Sequence, residues 1–298
     1  MPRVLGGNRF ILQPFLAPLV VAIAVVTAGC PRPKEDLAKS STRLELAKDL
    51  LSKGDLDGAA SEANKALAFA PSNDEAYNVR GLVEVLRAAG VQMLLEVEQC
   101  LTGVDAEALR GELDVHLEKA ATDFDRATAL APDFGEAWAN RGIVANLQAD
   151  HEQAAKHLAE ALLHPDRLIN PSLTRAHLGW AYFHMGDEVR AAKELLQALQ
   201  FQPGMCVATY RLGRVYFARE EWDKAAEQFQ AVSDQPACGS QEASLYLMKA
   251  SIAQGLMDDA QRARDACLAM TPTSCIAAQC RTEMSAMSEM SEMGTQTP

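Results

Sequence analysis

The sequence is poor in aromatic residues, which make up 6% of its 298 positions, and in runs of β-branched residues. Both shortages speak against strands, which use such side chains to fill a pleated surface. Alanine and leucine are left to build the core, which is a helical composition. Positive charge is also scarce, since 28 Lys and Arg stand against 40 Asp and Glu, for a net charge of −12. So acidic a chain repels nucleic-acid phosphates and anionic lipid headgroups, and neither is a natural partner. Motifs that carry chemistry are missing too. No Cys-x-x-Cys pair occurs, so the cysteines do not show zinc spacing. His151-Glu152 opens like a two-histidine zinc motif, but Ala155 stands where the second His is needed. There is no Ser/His/Asp constellation, glycine-rich phosphate loop or paired-acid motif. The sequence therefore offers no catalytic residue, metal set or cofactor site, and an enzyme is not expected.

What is present is periodic. The stretch from Ser172 to Met205 carries Leu178-Gly179, Tyr182, Gly186-Asp187, Ala191, Leu195, Ala198 and Pro203. These fall on two apolar stripes of helical spacing, broken by Gly186 and stopped by Pro203-Gly204, which spells helix–turn–helix. Gly179, Ala191 and Ala198 are small enough to let two antiparallel helix axes approach closely. This spacing resembles the tetratricopeptide repeat (TPR), with departures at Arg175, where the family has Trp, and Leu195, where it has Phe. The same phase recurs along the chain. Residues 40–73 carry Leu46, Leu50, Gly54, Ala59, Ala66 and Pro71; residues 74–134 carry Tyr77, Gly81, Ala120, Phe124, Ala127 and Pro132. Residues 135–171 follow with Trp138, Gly142, Ala154 and Ala161, then 172–205. Residues 206–240 carry Leu212-Gly213, Tyr216, Ala225 and Phe229, and residues 241–281 carry Leu247, Gly255, Ala260 and Pro272. The expectation is an all-α TPR solenoid of about six helix–turn–helix repeats.

The second repeat is longer than the others. Roughly Ala89 to Leu117 is additional, and its apolar spacing (Val91, Leu94, Leu95, Val97, Leu101, then Leu109, Leu113, Leu117) continues two helices. The reading is a helical hairpin projecting from the solenoid, with Thr102-Gly103 at its tip and Asp105 capping the returning helix.

The ends read differently. Arg3 and Arg9 precede a largely apolar run from Phe10 to Val26, closed by Thr27-Ala28-Gly29-Cys30. That is the layout of a secretory signal over residues 1–29, and Cys30 after Ala-Gly resembles the bacterial lipobox. Thr27 and the prolines Pro14 and Pro18 depart from that pattern. The resemblance implies lipidation at Cys30, a tether over 30–39, and anchoring in the outer membrane facing the periplasm. Residues 282–298 repeat Met, Ser and Glu with no apolar face, and read as a disordered tail.

Six further cysteines are Cys100, Cys206, Cys238, Cys267, Cys275 and Cys280. In an exported protein they read as a disulfide framework. Cys206 and Cys238 each stand just before the first helix of a repeat, and could staple the fifth to the sixth. Cys267 could pair with either Cys275 or Cys280, and Cys100 has no evident partner. Buried free thiols are the alternative. His177 and His184 flank Trp180 on one helix and read as the polar edge of a groove rather than as metal ligands.

By resemblance to TPR proteins, the concave wall receives Asn78, Leu82, Val85 and Leu86; then Ile143, Asn146 and Leu147; then Leu173, Trp180, Phe183 and His184. The fifth repeat adds Val207, Tyr210, Arg214 and Phe217, and the sixth Leu245 and Ile252. An apolar trough in an acidic solenoid suits an amphipathic segment of another protein. With a lipidated start, six repeats and late cysteines, the chain resembles the pilotins of type IV pilus systems, lipoproteins that help assemble the outer-membrane secretin ring. The resemblance implies a secretin subunit as partner. The rival reading is a scaffold for another envelope pathway, such as cell-wall synthesis or barrel assembly.

Overall fold

The computed structural model describes residues 35–283. Cys30, the leader, the first half of the tether and residues 284–298 lie outside the described residues. Among those described there is helix and turn but no strand, and no helix is long and apolar enough to cross a membrane.

Six antiparallel helix pairs follow one another: α1 (Leu37–Ser52) with α2 (Leu56–Phe69), and α3 (Asp74–Gln92) with α4 (Val104–Leu130). Next come α5 (Gly135–Leu147) with α6 (His151–Leu163), and α7 (Pro171–His184) with α8 (Glu188–Phe201). The array ends with α9 (Cys206–Ala218) and α10 (Trp222–Ser233), then α11 (Gln241–Ala253) and α12 (Met257–Met270). A thirteenth helix, α13 over residues 275–283, covers the last pair. Helix starts are set by side chains that accept from the backbone three residues on, as Asp55 does from Gly58, Asn73 from Ala76 and Asp187 from Arg190. The fold is a TPR solenoid.

The seam within each pair is made by size. An added Cβ at Gly81 would stand 2.7 Å from the ring of Phe124, and one at Gly213 would stand 2.7 Å from the ring of Phe229. Both rings are fully buried. The missing glycine side chain thus lets a ring lie flat on the neighbouring backbone. In the fourth pair the shorter Leu195 takes the ring's place beneath Gly179. Arg175, standing where the repeat pattern has Trp, bridges its pair through Glu194 (2.7 Å) and Gln197 (2.9 Å).

First helices touch their counterparts in the next repeat, from α1 and α3 through to α9 and α11, whereas second helices do not do so comparably. In a curved stack the elements at the smaller radius are the ones brought together. The first helices therefore form the inner wall.

The additional residues of the second pair form the expected hairpin, but not a free projection. α3 passes into a π-helical turn, Met93–Glu98, and α4 returns unbroken from Val104. Gly103, at φ 78°, starts α4 with no side-chain cap, so Asp105 is not the cap. It lies in the first turn, where its charge still favours the helix dipole. Val91, Leu95 and Ala106 make the hairpin's own small core. At the tip Cys100 is bonded to Cys275, 175 residues away, and Thr273 Oγ1 donates to the Glu98 carbonyl at 2.7 Å. The hairpin is a strap tied to the C-terminal end of the array.

Candidate functional site

Of the residues assigned to the concave wall, those on α7 and α9 converge. Trp180 stacks with Phe183 at 5.2 Å between centroids, and His184 meets the Trp180 edge at 4.4 Å. His184 also stacks on His151 of α6 at 4.4 Å. From α9, the Arg214 guanidinium lies 3.9 Å from the ring of Tyr246 on α11, and its Nη1 donates to the Tyr210 hydroxyl at 2.9 Å. Phe217 meets Tyr246 edge-on at 5.2 Å. Trp180, Phe183, Tyr210, Arg214, Phe217 and Tyr246 are all half-buried, so each keeps a face for a guest. Aromatic groups joined by stacked arginines are what interface hot spots are commonly made of.

Burial sets the protonation of this wall. It holds His177 well below the usual histidine range, with the Arg211 charge adding to the effect. His184 is lowered by burial first and then by His151, Arg214 and Arg211. Burial and the nearby Glu242 carboxylate push Tyr210 up. Burial draws the Arg211 guanidinium down to about 10. At neutral pH the imidazoles are uncharged, and the positive charge is carried by the arginines.

The rest of the assigned wall behaves otherwise. Asn78 is 7% exposed and accepts from Asn140 Nδ2 at 3.0 Å, so it joins α3 to α5 and is not offered to a guest. Leu245, at 2%, belongs to the core beneath α13, with Ile252 packed against it. Leu82 and Val85 pack on the Phe124 cluster, and Ile143 on the Leu158 cluster. Leu173 and Val207 pack on the Leu212 cluster. Asn146 donates to the His177 carbonyl at 3.0 Å and bonds to the His151 ring. Leu147 and Leu86 are exposed. Two residues of the site were not singled out from the sequence, Arg211 and Tyr246. Arg211 lies one residue past Tyr210 and Tyr246 one past Leu245, so counting inward-facing positions alone passed them over.

The cysteines form three bridges: Cys206–Cys238, Cys267–Cys280 and Cys100–Cys275. The first joins the starts of the fifth and sixth repeats, and the second ties α13 to α12. The third supplies the partner that the sequence did not show for Cys100. Behind it, a cleft of about 940 Å³ separates Gln92, Met93 and Arg110 of the strap from Gln241, Glu242 and Ile276. Among the described residues no cluster of three or more His, Cys, Asp or Glu could hold a metal.

A tetratricopeptide-repeat family model matches residues 116–167. No curated protein matches the sequence. Among solved structures the chain is similar to PilW, described as a widely conserved type IV pilus biogenesis factor, with 20% identity and a TM-score of 0.61. That match covers 80% of this chain and 96% of PilW. It is similar to Pseudomonas aeruginosa PilF, at 16% identity and a TM-score of 0.60, over 83% of this chain and 98% of that one. Human IFIT1, solved with m7Gppp-AAAA, is also similar, at 17% identity and a TM-score of 0.56, over 80% of this chain and 51% of IFIT1. At these identities the likeness is one of fold: the chain is a TPR solenoid similar to PilW and PilF.

Proposed function

We propose that this chain is a non-enzymatic, lipid-anchored assembly factor of the outer membrane. It holds a segment of a secretin subunit in its concave wall and promotes formation of the secretin ring in type IV pilus biogenesis. The observation that carries the reading is the likeness to PilW and PilF over nearly their whole length. The aromatic wall of α7, α9 and α11 supplies a surface suited to an amphipathic guest. Anchoring through Cys30 would put that wall in the periplasm, where oxidising conditions favour the three bridges.

The test is a deletion strain assayed for heat-resistant secretin multimers in the outer membrane. Loss of multimers, restored by the wild-type chain but not by a Trp180→Ala, Tyr210→Ala double variant of equal abundance, is the expected result. Normal multimers together with an envelope defect would move the guest to another envelope assembly pathway. For the anchor, palmitate should label the wild type and not Cys30→Ala.

A further inference from the structure

The three bridges differ in what they join. Cys206–Cys238 staples two repeats that already pack on each other, with Phe229, Val232 and Ala243 buried in their shared core. Cys267 and Cys280 are themselves fully buried in the core beneath α13. Cys100–Cys275 joins parts that stand apart. Beside it, the strap meets the C-terminal repeat through the hydrogen bond from Thr273 Oγ1 to the Glu98 carbonyl, and behind it lies the cleft of about 940 Å³. Met93 and Val97 on the strap side of that cleft, and Met270 on the other, are left exposed. The apolar core of the strap, Val91, Leu95 and Ala106, is made of its own residues. Cys100 and Cys275 are both half-buried. Cys100 also stands in the left-handed region, at φ 46°, which a residue with a side chain adopts at a cost.

The bond changes the topology of the inner wall. α3 and α11 are both first helices, and the strap is the extension of α3. A tie from that extension to the repeat of α11 is therefore a chord on the concave side. Gln241 and Glu242, at the start of α11, line the cleft, and Glu242 stands beside the Tyr210 hydroxyl, so the cleft borders the aromatic wall. Wall, strap and bond together make a closed ring.

Whether a cut disulfide re-forms depends on how close the fold keeps its two thiols, which acts as an effective concentration. Packing of the fifth repeat on the sixth keeps Cys206 beside Cys238. The strap has little beyond the Glu98 hydrogen bond to keep Cys100 beside Cys275. Burial denies an external thiolate access to Cys267 and Cys280. We propose that Cys100–Cys275 is a reducible clasp: a dithiol reductant cuts it ahead of the other two bridges, and the freed strap opens the ring. One thiolate of the dithiol attacks the sulfur of Cys100 or Cys275, forming a mixed disulfide and releasing the other cysteine as a thiolate, which takes up a proton. The second thiolate of the dithiol then closes on the first, which frees the remaining cysteine. Two electrons pass to the cysteine pair, and the dithiol leaves as a disulfide. With the clasp shut, the strap lies across the wall; with it open, the wall can be approached from the side. The clasp acts in this way whichever protein the guest is.

The test titrates the full chain with dithiothreitol in the absence of denaturant, traps thiols with N-ethylmaleimide and locates them by peptide mass mapping. Cys100 and Cys275 should be alkylated at about tenfold less dithiol than the other four cysteines. Alkylation of either other pair at the same or lower dithiol would overturn the clasp. Hydrogen exchange then follows the strap. Residues 93–101 should exchange about tenfold faster in the selectively reduced chain, and equally so in the Cys100→Ser, Cys275→Ser variant, with α7 and α9 unchanged. Unchanged exchange in the strap would mean that packing and not the bond holds it, which overturns the proposal. Faster exchange spread equally over α7 and α9 would overturn it too, since the bond would then be a staple of the whole array. Neither readout involves secretin assembly, so this inference and the proposed function fail separately.

Discussion

The first three repeats and the last three share a backbone pattern but are held together by different chemistry. In the first half, charges are buried in pairs. Arg80 grips Asp123 with two hydrogen bonds, at 2.8 and 2.6 Å, and Glu84, 7% exposed, receives both Arg87 and His116 at 2.6 and 2.7 Å. Asn78 and Asn140 join first helices side to side. In the second half Arg175 still pairs with Glu194, but the inner wall of α7, α9 and α11 is made of rings and of cations lying on rings, and the Cys206–Cys238 and Cys267–Cys280 bridges add covalent ties. A wall whose polar groups satisfy one another has nothing left for a guest. A wall with half-buried rings and arginines lying on them does, and on the proposed reading the guest is held by the fourth to sixth repeats.

The shared part of the comparison should give the largest effect. Phe124→Ala and Phe229→Ala each remove a fully buried ring lying against a glycine, and each should cost about 3–5 kcal/mol in denaturant unfolding. A large difference between them would mean that the two halves do not share a seam. Next, Cys206→Ser with Cys238→Ser should cost about 2–4 kcal/mol by the loop closed in the unfolded chain. Proteolysis should then begin in the second half and leave the first intact. Asp123→Ala should cost about 2–3 kcal/mol because it strands the Arg80 charge, without altering guest binding.

The smallest effect is one of pH. His177 sits well below its ordinary 6.5 in the folded chain, so the unfolded chain takes up the proton first. Stability is full above pH 6.5 and declines as the pH falls from there towards the lowered folded value, by at most about 1.4 kcal/mol per pH unit for one proton. Replacing His177 with Asn should flatten that slope in urea titrations at pH 5 and pH 7.

Much of this was legible from residue order. Gly179, Ala191 and Ala198 mark a close helix pair because only small side chains fit there, and the same phase carries through six pairs. The hairpin could be read from Val91, Leu95 and Leu109, whose spacing is that of helices and not of loop. Its destination could not. Whether Cys100 reaches Cys275 depends on small rotations accumulated over the intervening repeats, which no local pattern records. The polar half of the wall was misread for a similar reason. Asn78 occupies a position that faces inward in the repeat family, yet the neighbouring Asn140 claims it. Arg211 escaped notice because what marks it is its burial against Trp180 with Nη1 unbonded among the described residues, and that shows only once the surrounding side chains are in place.

The most direct measurement is site-specific photocrosslinking in the living envelope. A photoreactive residue at Phe183, in the inner wall, is compared with one at Val189 on the second helix of the same repeat, where the side chain is 77% exposed. A secretin adduct from position 183 and none from 189 is the predicted result. Equal adducts from both positions, or an adduct from 189 alone, would contradict a guest held in the concave wall.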